Sequence, residues 1–171
     1  MTRMKWFDKK FRFELSQDDY YRILKKLSEN PDKISKLVSS LPEDVLIRKI
    51  DNRWSIKENV GHLIDLEELH DGRIDDFIAG KEILRPADLN NKKTDEANHN
   101  SRDIADLVSQ FKIVRENFIK RMKSLDEKDL MKSSIHPRLQ QPMRPIDMAQ
   151  FILEHDEHHI ETIKELINEF Q

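Results

Sequence analysis

The sequence predicts an all-α protein, built as a four-helix bundle. Three observations point there. The 171 residues include only 3 glycines and 6 prolines, while charged and apolar residues each make up 37%, and such a charge-rich, glycine-poor balance leans helical. Four long stretches repeat apolar residues at spacings of three and four, the period of a helix with one buried face. No stretch sustains the alternation of a strand. The length suits a single domain, 1–171, with a real core.

Residues 1–15 mix bases with aromatics, from Arg3, Lys5, Trp6 and Phe7 to Phe11, Arg12 and Phe13. This arm is expected to pack its rings on the domain and leave its lysines in water. A first helix is expected over 17–41. Tyr20, Ile23, Leu24 and Leu27 share one face, continued by Ile34, Leu37, Val38 and Leu41. Ser16 and Asp19 suit its start. Asn30-Pro31 predicts a break near 30, with Asn30 capping a new helix that holds Pro31 in its first turn. Residues 42–54 connect, with one helical turn around Glu43 to Leu46. Ser55-Ile56-Lys57-Glu58 is a capping box and opens a second helix over 55–79, which Gly80 closes. Its stripe is Ile56, Val60, Leu63, Leu66, Ile74 and Phe77. Gly61, next to His62, leaves room for another group to come close.

Residues 81–100 form a polar link long enough to run the length of a helix. A third helix is expected over 101–124, where Ile104, Leu107, Phe111, Val114, Phe118 and Met122 recur at helical spacing. A loop over 126–143 follows. Pro145 suits the first turn of the fourth helix, over 145–170.

The fourth helix carries the candidate site. His155 and His159 are four apart, so they stand on one face of a helix. That face also holds Met148, Phe151, Ile152, Ile163 and Leu166. Two imidazoles aimed into a core need partners, and a metal ion is one. The i, i+4 pair is a recurring chelating arrangement. Asp156 stands where the metalloprotease motif has glutamate, so that motif is absent. His62, on the second helix, is the candidate third ligand. Glu58 and Asp65, at i−4 and i+3 from it, can receive a ring N–H of a ligand histidine, complete the coordination or shuttle protons. His158 stands about 60° off the centre of the stripe and reads as lying beside the site, also as a proton shuttle. The competing reading is that no metal binds and the histidines hydrogen-bond one another. His70 reads as a core-edge residue without a paired partner, His99 as a loop residue, and His136 as lining a pocket mouth. Arg138 and Arg144 read as solvated charges, with an anionic substrate as the alternative.

The balance of 30 basic and 33 acidic residues, net −3, gives no basic excess for nucleic acid or an acidic membrane surface. The absence of cysteine excludes disulfides, thiolate ligands and a cysteine nucleophile. No apolar run approaches the ~20 residues that span a bilayer, and the first ten residues lack an apolar signal core. A cytoplasmic protein is expected.

Two segments together resemble the DinB/YfiT-like superfamily of metalloproteins. One is Trp54-Ser55-Ile56-Lys57-Glu58-Asn59-Val60-Gly61-His62-Leu63, with Asp65 and Glu67 beyond. The other is Glu154-His155-Asp156-Glu157-His158-His159-Ile160. The opening Trp6 to Phe13 and the His136-Pro137 loop resemble one branch of it. The resemblance implies a bundle of up-down-down-up order, which accounts for the long 81–100 link. It implies a divalent metal (zinc, nickel, iron or manganese) on His62, His155 and His159, a small-molecule substrate, and frequent homodimers. Some relatives transfer or isomerise substrates with a low-molecular-weight thiol such as bacillithiol, mycothiol or glutathione, and others resemble hydrolases. The expected function is therefore a metal-dependent, thiol S-transferase-like enzyme. The alternatives are a metal-dependent hydrolase and a non-enzymatic metal-binding or stress-response protein.

Overall fold

The computed structural model describes residues 4–170. Arg3 of the expected arm lies outside the described residues. Four long helices dominate: α1 (Asp19–Val38), α3 (Ile56–Ile78), α5 (Ile104–Lys123) and α7 (Pro145–Phe170). Short helices α2 (Glu43–Ile47), α4 (Lys92–Glu96) and α6 (Glu127–Leu130) lie in the connections. The helix boundaries follow local chemistry. Both halves of the Ser55/Glu58 capping box form at the start of α3. Asp103 accepts from the Ala105 N–H at the start of α5. Gly80, with φ +66°, takes the left-handed turn just after α3.

Polar contacts between the helices fix their directions. Tyr20 donates to the Met122 carbonyl and Lys112 to Asp32, so α1 and α5 run antiparallel. Arg144 reaches the Leu15 carbonyl and Asn30 reaches Asp156, so α1 and α7 run parallel. Arg115 pairs with Glu67, and Arg121 with Asp71 and Asp75, so α3 and α5 also run parallel. Arg53 pairs with Glu169 while His159 meets Asn59, so α3 opposes α7. The order is up-down-down-up. Because α3 and α5 are parallel, the link between them must travel back along about 34 Å of helix. The polar stretch over 81–100 does so, and is not featureless. It carries α4 and a 3₁₀ turn, His99–Ser101.

The core is two apolar clusters with a polar layer between them. One holds Tyr20, Ile23, Leu27, Phe77, Phe118 and Ile152; the other holds Ile34, Leu63, Phe111, Ile160 and Ile163. Between them Arg115, 1% exposed, bonds Glu67 on α3 and Asp156 on α7. Asp156 also accepts from the Asn30 amide at 2.8 Å.

This layer overturns the expected break near residue 30. Helix α1 runs through Pro31 uninterrupted. Proline has no N–H for the carbonyl four residues earlier, that of Leu27. Arg115 supplies the missing donor, its guanidinium lying 3.3 Å from the Leu27 oxygen. Asn30 is no cap; it is a fully buried member of the layer. The loop over 126–143 also differs from expectation. It contains α6 and a minimal hairpin, β1 (Ser134–Ile135) paired antiparallel with β2 (Pro142–Met143), too short for alternation to show in the sequence.

Candidate metal centre

Helix α7 presents His155 and His159 on consecutive turns, facing His62 on α3. All three are buried, at 7%, 7% and 4% exposure. Their ring centroids are 4.6 to 5.3 Å apart. One ring nitrogen from each falls within 4.8 Å of the other two.

The outer nitrogens of two rings are set by partners. Thr94 donates its hydroxyl proton to Asp65 Oδ2 at 2.9 Å. The Thr94 hydroxyl oxygen lies 3.0 Å from His62 Nδ1; with its own proton given to Asp65 it accepts there, and Nδ1 carries the proton. His159 Nδ1 lies 2.8 Å from Asn59 Oδ1. Asn59 spends its amide N–H on the Ser55 carbonyl at 2.8 Å, which leaves that oxygen facing the ring as an acceptor. In both rings the proton therefore sits on Nδ1 and Nε2 carries the lone pair. His159 Nε2 and His155 Nε2 lie 3.2 Å apart, near the ~3.4 Å that separates two nitrogens held tetrahedrally at 2.0–2.1 Å from one zinc ion. His155 Nδ1 is buried without a partner among the described residues. Burial pushes the His62 pKa down to about 4 against the pull of Asp65. Burial, followed by the neighbouring His159 and His62, pushes His155 well below its usual value. Neutral imidazoles are the form that binds metals, and three of them in this geometry fit a divalent cation.

Two tryptophans frame the cluster. The Trp6 ring meets His155 edge-on at 4.9 Å, and Trp54 lies 4.6 Å from His62. In the N-terminal arm Trp6 packs against Phe11 and Phe151 as expected, whereas Phe7 stays 58% exposed. Before the rings of His62, His155 and His159 opens a cavity of about 350 Å³, walled by Leu66, Leu69 and Phe151 and reached by His70, His136 and His158.

The three proton-shuttle candidates fare differently. His158 lines the cavity. Asp65 does not; it holds Thr94 and, at 2.8 Å, His99, so it bears on His62 through Thr94. Glu58 is not brought to the cluster. Its carboxylate is spent on the Ser55 N–H and on Lys49.

Other expectations need correction. His99 is not a loop histidine in water but 3% exposed. It lies against Gly61, where a Cβ would come within 2.2 Å of its ring, so the space beside His62 is filled by a side chain. His70 has a partner, Glu67, at 3.2 Å. Arg144 is held by Asp147. Arg138 is no solvated charge; it sits over Phe7, Phe151 and Trp6. Thr94, Asn59 and Arg73 went unnoticed in the sequence. Asn59 lay inside the matched Trp54–Leu63 segment, whereas Thr94 gave no signal.

A model of the DinB superfamily matches residues 26–163. The chain belongs to the DinB superfamily. Among solved structures, YfiT from Bacillus subtilis is described as a probable metal-dependent hydrolase with an unusual four-helix bundle topology. It is similar to this chain with a TM-score of 0.81 at 19% identity, covering 95% of this chain and 93% of that one. At that identity the likeness is one of fold, and it agrees with the helix order of this DinB-superfamily bundle. No curated protein matches.

Proposed function

We propose that this protein is a metal-dependent enzyme that joins a low-molecular-weight thiol to a small electrophile, with a divalent ion held by His62, His155 and His159. The observation that carries the reading is a cluster of three buried imidazoles facing an apolar cavity with no free carboxylate. Asp88 is the one acid among the lining residues, and its oxygens hold the backbone N–H groups of Asn90 and Lys92.

His62, His155 and His159 would hold the ion through three neutral nitrogens and leave its charge uncompensated, and the ion would then supply Lewis-acid chemistry. The chain's residues do the rest. Thr94 and Asn59 hold two imidazoles in the ligating tautomer. Trp6, Leu66, Leu69 and Phe151 exclude water from the electrophile. A thiol, with a pKa near 8.5, gives up its proton more readily than water, which suits a site without a carboxylate base. The new carbon–sulfur bond forms as the leaving group departs with its electron pair. His158 accepts the thiol proton, and Asp65 acts as a positioning residue through Thr94. The second reading, hydrolysis, rests on the description of the YfiT fold relative and uses the same ligands.

Metal analysis of purified wild type beside His62→Ala, His155→Ala and His159→Ala comes first. About one equivalent in the wild type and little in the variants is the expected result; equal content in all four ends the assignment. Loss of free thiol with a haloalkane or epoxide, measured for several thiols, then decides the chemistry. Ester cleavage without thiol consumption would replace transfer by hydrolysis.

A further inference from the structure

The end of the cavity remote from His62 is lined by Arg73, Arg138 and His136, each of which has an N–H donor to offer there. Arg73 is 2% exposed. Its Nε donates to the Arg85 carbonyl at 3.1 Å, and its NH2 group is buried with no partner among the described residues. Asp76, one turn further along α3, acts on Arg73 through its charge but makes no hydrogen bond to it, because that carboxylate is taken by the Arg85 backbone N–H and guanidinium. Arg138 is held by aromatic faces rather than by an acid, 5.3 Å from the Phe7 centroid and 5.7 Å from that of Phe151. Its NH2 group is likewise buried and unpartnered among the described residues. His136 is the third. Its Nδ1 accepts the Leu139 N–H at 3.1 Å, so in the neutral ring the proton sits on Nε2. That Nε2 faces Arg73 at 3.4 Å, donor against donor. Burial, then the charges of Arg73 and Arg138, hold the His136 pKa down at about 3, so the ring is neutral there.

Buried donors without acceptors cost free energy unless something supplies one. Two guanidinium groups with no carboxylate hydrogen-bonded to them in a half-closed apolar cavity ask for an anion. We propose that Arg73, Arg138 and His136 form an anion subsite, and that the ligand of this cavity is an amphipathic organic anion. Its oxyanion head sits on Arg73 and Arg138 and its apolar body lies along Leu66, Leu69 and Phe151, which brings its other end to the histidine cluster. Helix α3 sets the scale, since His62 and Arg73 stand about 16 Å apart along its axis and both side chains line the cavity. This deepens the reading of the cluster as the reacting end. The anion subsite itself stands on Arg73, Arg138 and His136 alone.

The test uses binding to the metal-free full-length protein, so that no head group can be captured by a metal. Trp6 and Trp54, the two tryptophans of the chain, both line the cavity and report occupancy by fluorescence. The probes are octanoate, octyl phosphate and octan-1-ol. At least one anion is expected to bind about tenfold or more tighter than the alcohol, the gain from charge-assisted hydrogen bonds. A stronger octanoate assigns a carboxylate head; a stronger octyl phosphate assigns a phosphate. Arg138→Gln and Arg73→Gln are each expected to bring the anion-to-alcohol ratio down to about threefold or less. Arg138 is part-exposed, so its variant decides the matter if Arg73→Gln melts early. His155→Ala should keep the ratio. Equal binding of anion and alcohol by the wild type overturns the proposal, as does a ratio that survives the arginine variants. A ratio lost in His155→Ala would place the anion at the histidines and also overturn it. Failure of the metal assignment shows instead in the metal content, which this preference does not read.

Discussion

Replacing Arg115 by Met tests how the four helices are held. The methionine keeps most of the side chain's volume but removes every donor. Three buried acceptors then lose the Arg115 donor: Glu67 at 2.8 Å, which keeps only His70, Asp156 at 3.1 Å, which keeps only Asn30, and the Leu27 carbonyl at 3.3 Å. Removing one member of a buried ion pair costs about 3–5 kcal/mol. A buried carbonyl left alone costs a further 1–3 kcal/mol or so. Protonation of the carboxylates and entry of water offset part of this, so we expect a net loss of about 4 kcal/mol. For a chain of this size that lowers Tm by roughly 8–16 °C. Urea denaturation followed by circular dichroism gives the free energy, and a thermal melt gives Tm. A pairing specific to the Leu27 carbonyl makes a second demand. In a Pro31→Ala background residue 31 regains its N–H, so Arg115→Met should cost about 1 kcal/mol less there. A loss below about 1 kcal/mol in the original background would refute the claim that this guanidinium is a desolvated hub. An equal loss in both backgrounds would refute its role at Pro31.

Glu67 gives a pH signature. Burial raises its pKa, but the Arg115 charge and the His70 and Arg115 bonds outweigh that and hold it at about 2 against an ordinary 4.5. A depressed acid stabilises the fold above its unfolded pKa, so this contribution is intact above pH ~4.5. It is lost as pH falls toward ~2, about 3 kcal/mol across the window; Glu67→Gln should flatten the urea-midpoint curve there. Thr94→Val and Asn59→Leu, which free the outer nitrogens of His62 and His159, should weaken metal binding by about 10- to 100-fold, read by competition with a chromophoric chelator. Gly61→Ala drives a methyl into the His99 ring and should cost about 1–3 kcal/mol, most of it recovered in Gly61→Ala/His99→Ala by urea denaturation.

The sequence and the structure part company where a partner lies far along the chain. Start and stop signals of the helices were legible because each is local: the Ser55 box, Gly80 and Pro145 act within a turn or two. The convergence of His155 and His159 was legible for the same reason, since i, i+4 on an apolar face leaves little freedom. Asn30-Pro31 misled because the rule for proline is local and its remedy is not; the donor to the Leu27 carbonyl comes from Arg115, 88 residues on from Leu27. Glu58 is the instructive case. The capping box that marks the start of α3 already assigns its carboxylate to the Ser55 N–H, so the reason it stands apart from the histidines was present in the four residues that named it. Arg73, His136 and Arg138 could not have been grouped by spacing at all, because α3 and the hairpin loop meet only in the folded chain.

Chain order explains why such distant residues meet at this site. An up-down-up-down bundle would join α3 to α5 with a short turn and leave the outer side of α3 bare. Here α3 and α5 are parallel, so the link must cross the length of α3, and it crosses beside His62. That crossing delivers Thr94 to the His62 ring and stacks His99 on Gly61. It also lays Pro86 to Leu89 along the cavity as one of its walls. The loop before α7 closes the other end with His136 and Arg138. A histidine pair on α7 and a single histidine on α3 would otherwise sit in an open seam between two helices. The parallel α3–α5 connection turns that seam into a half-closed site with a fixed tautomer at one end and, among the described residues, unpaired donors at the other. Shortening the 81–100 link while keeping both helices should therefore cost His62 its orientation and the cavity its wall together.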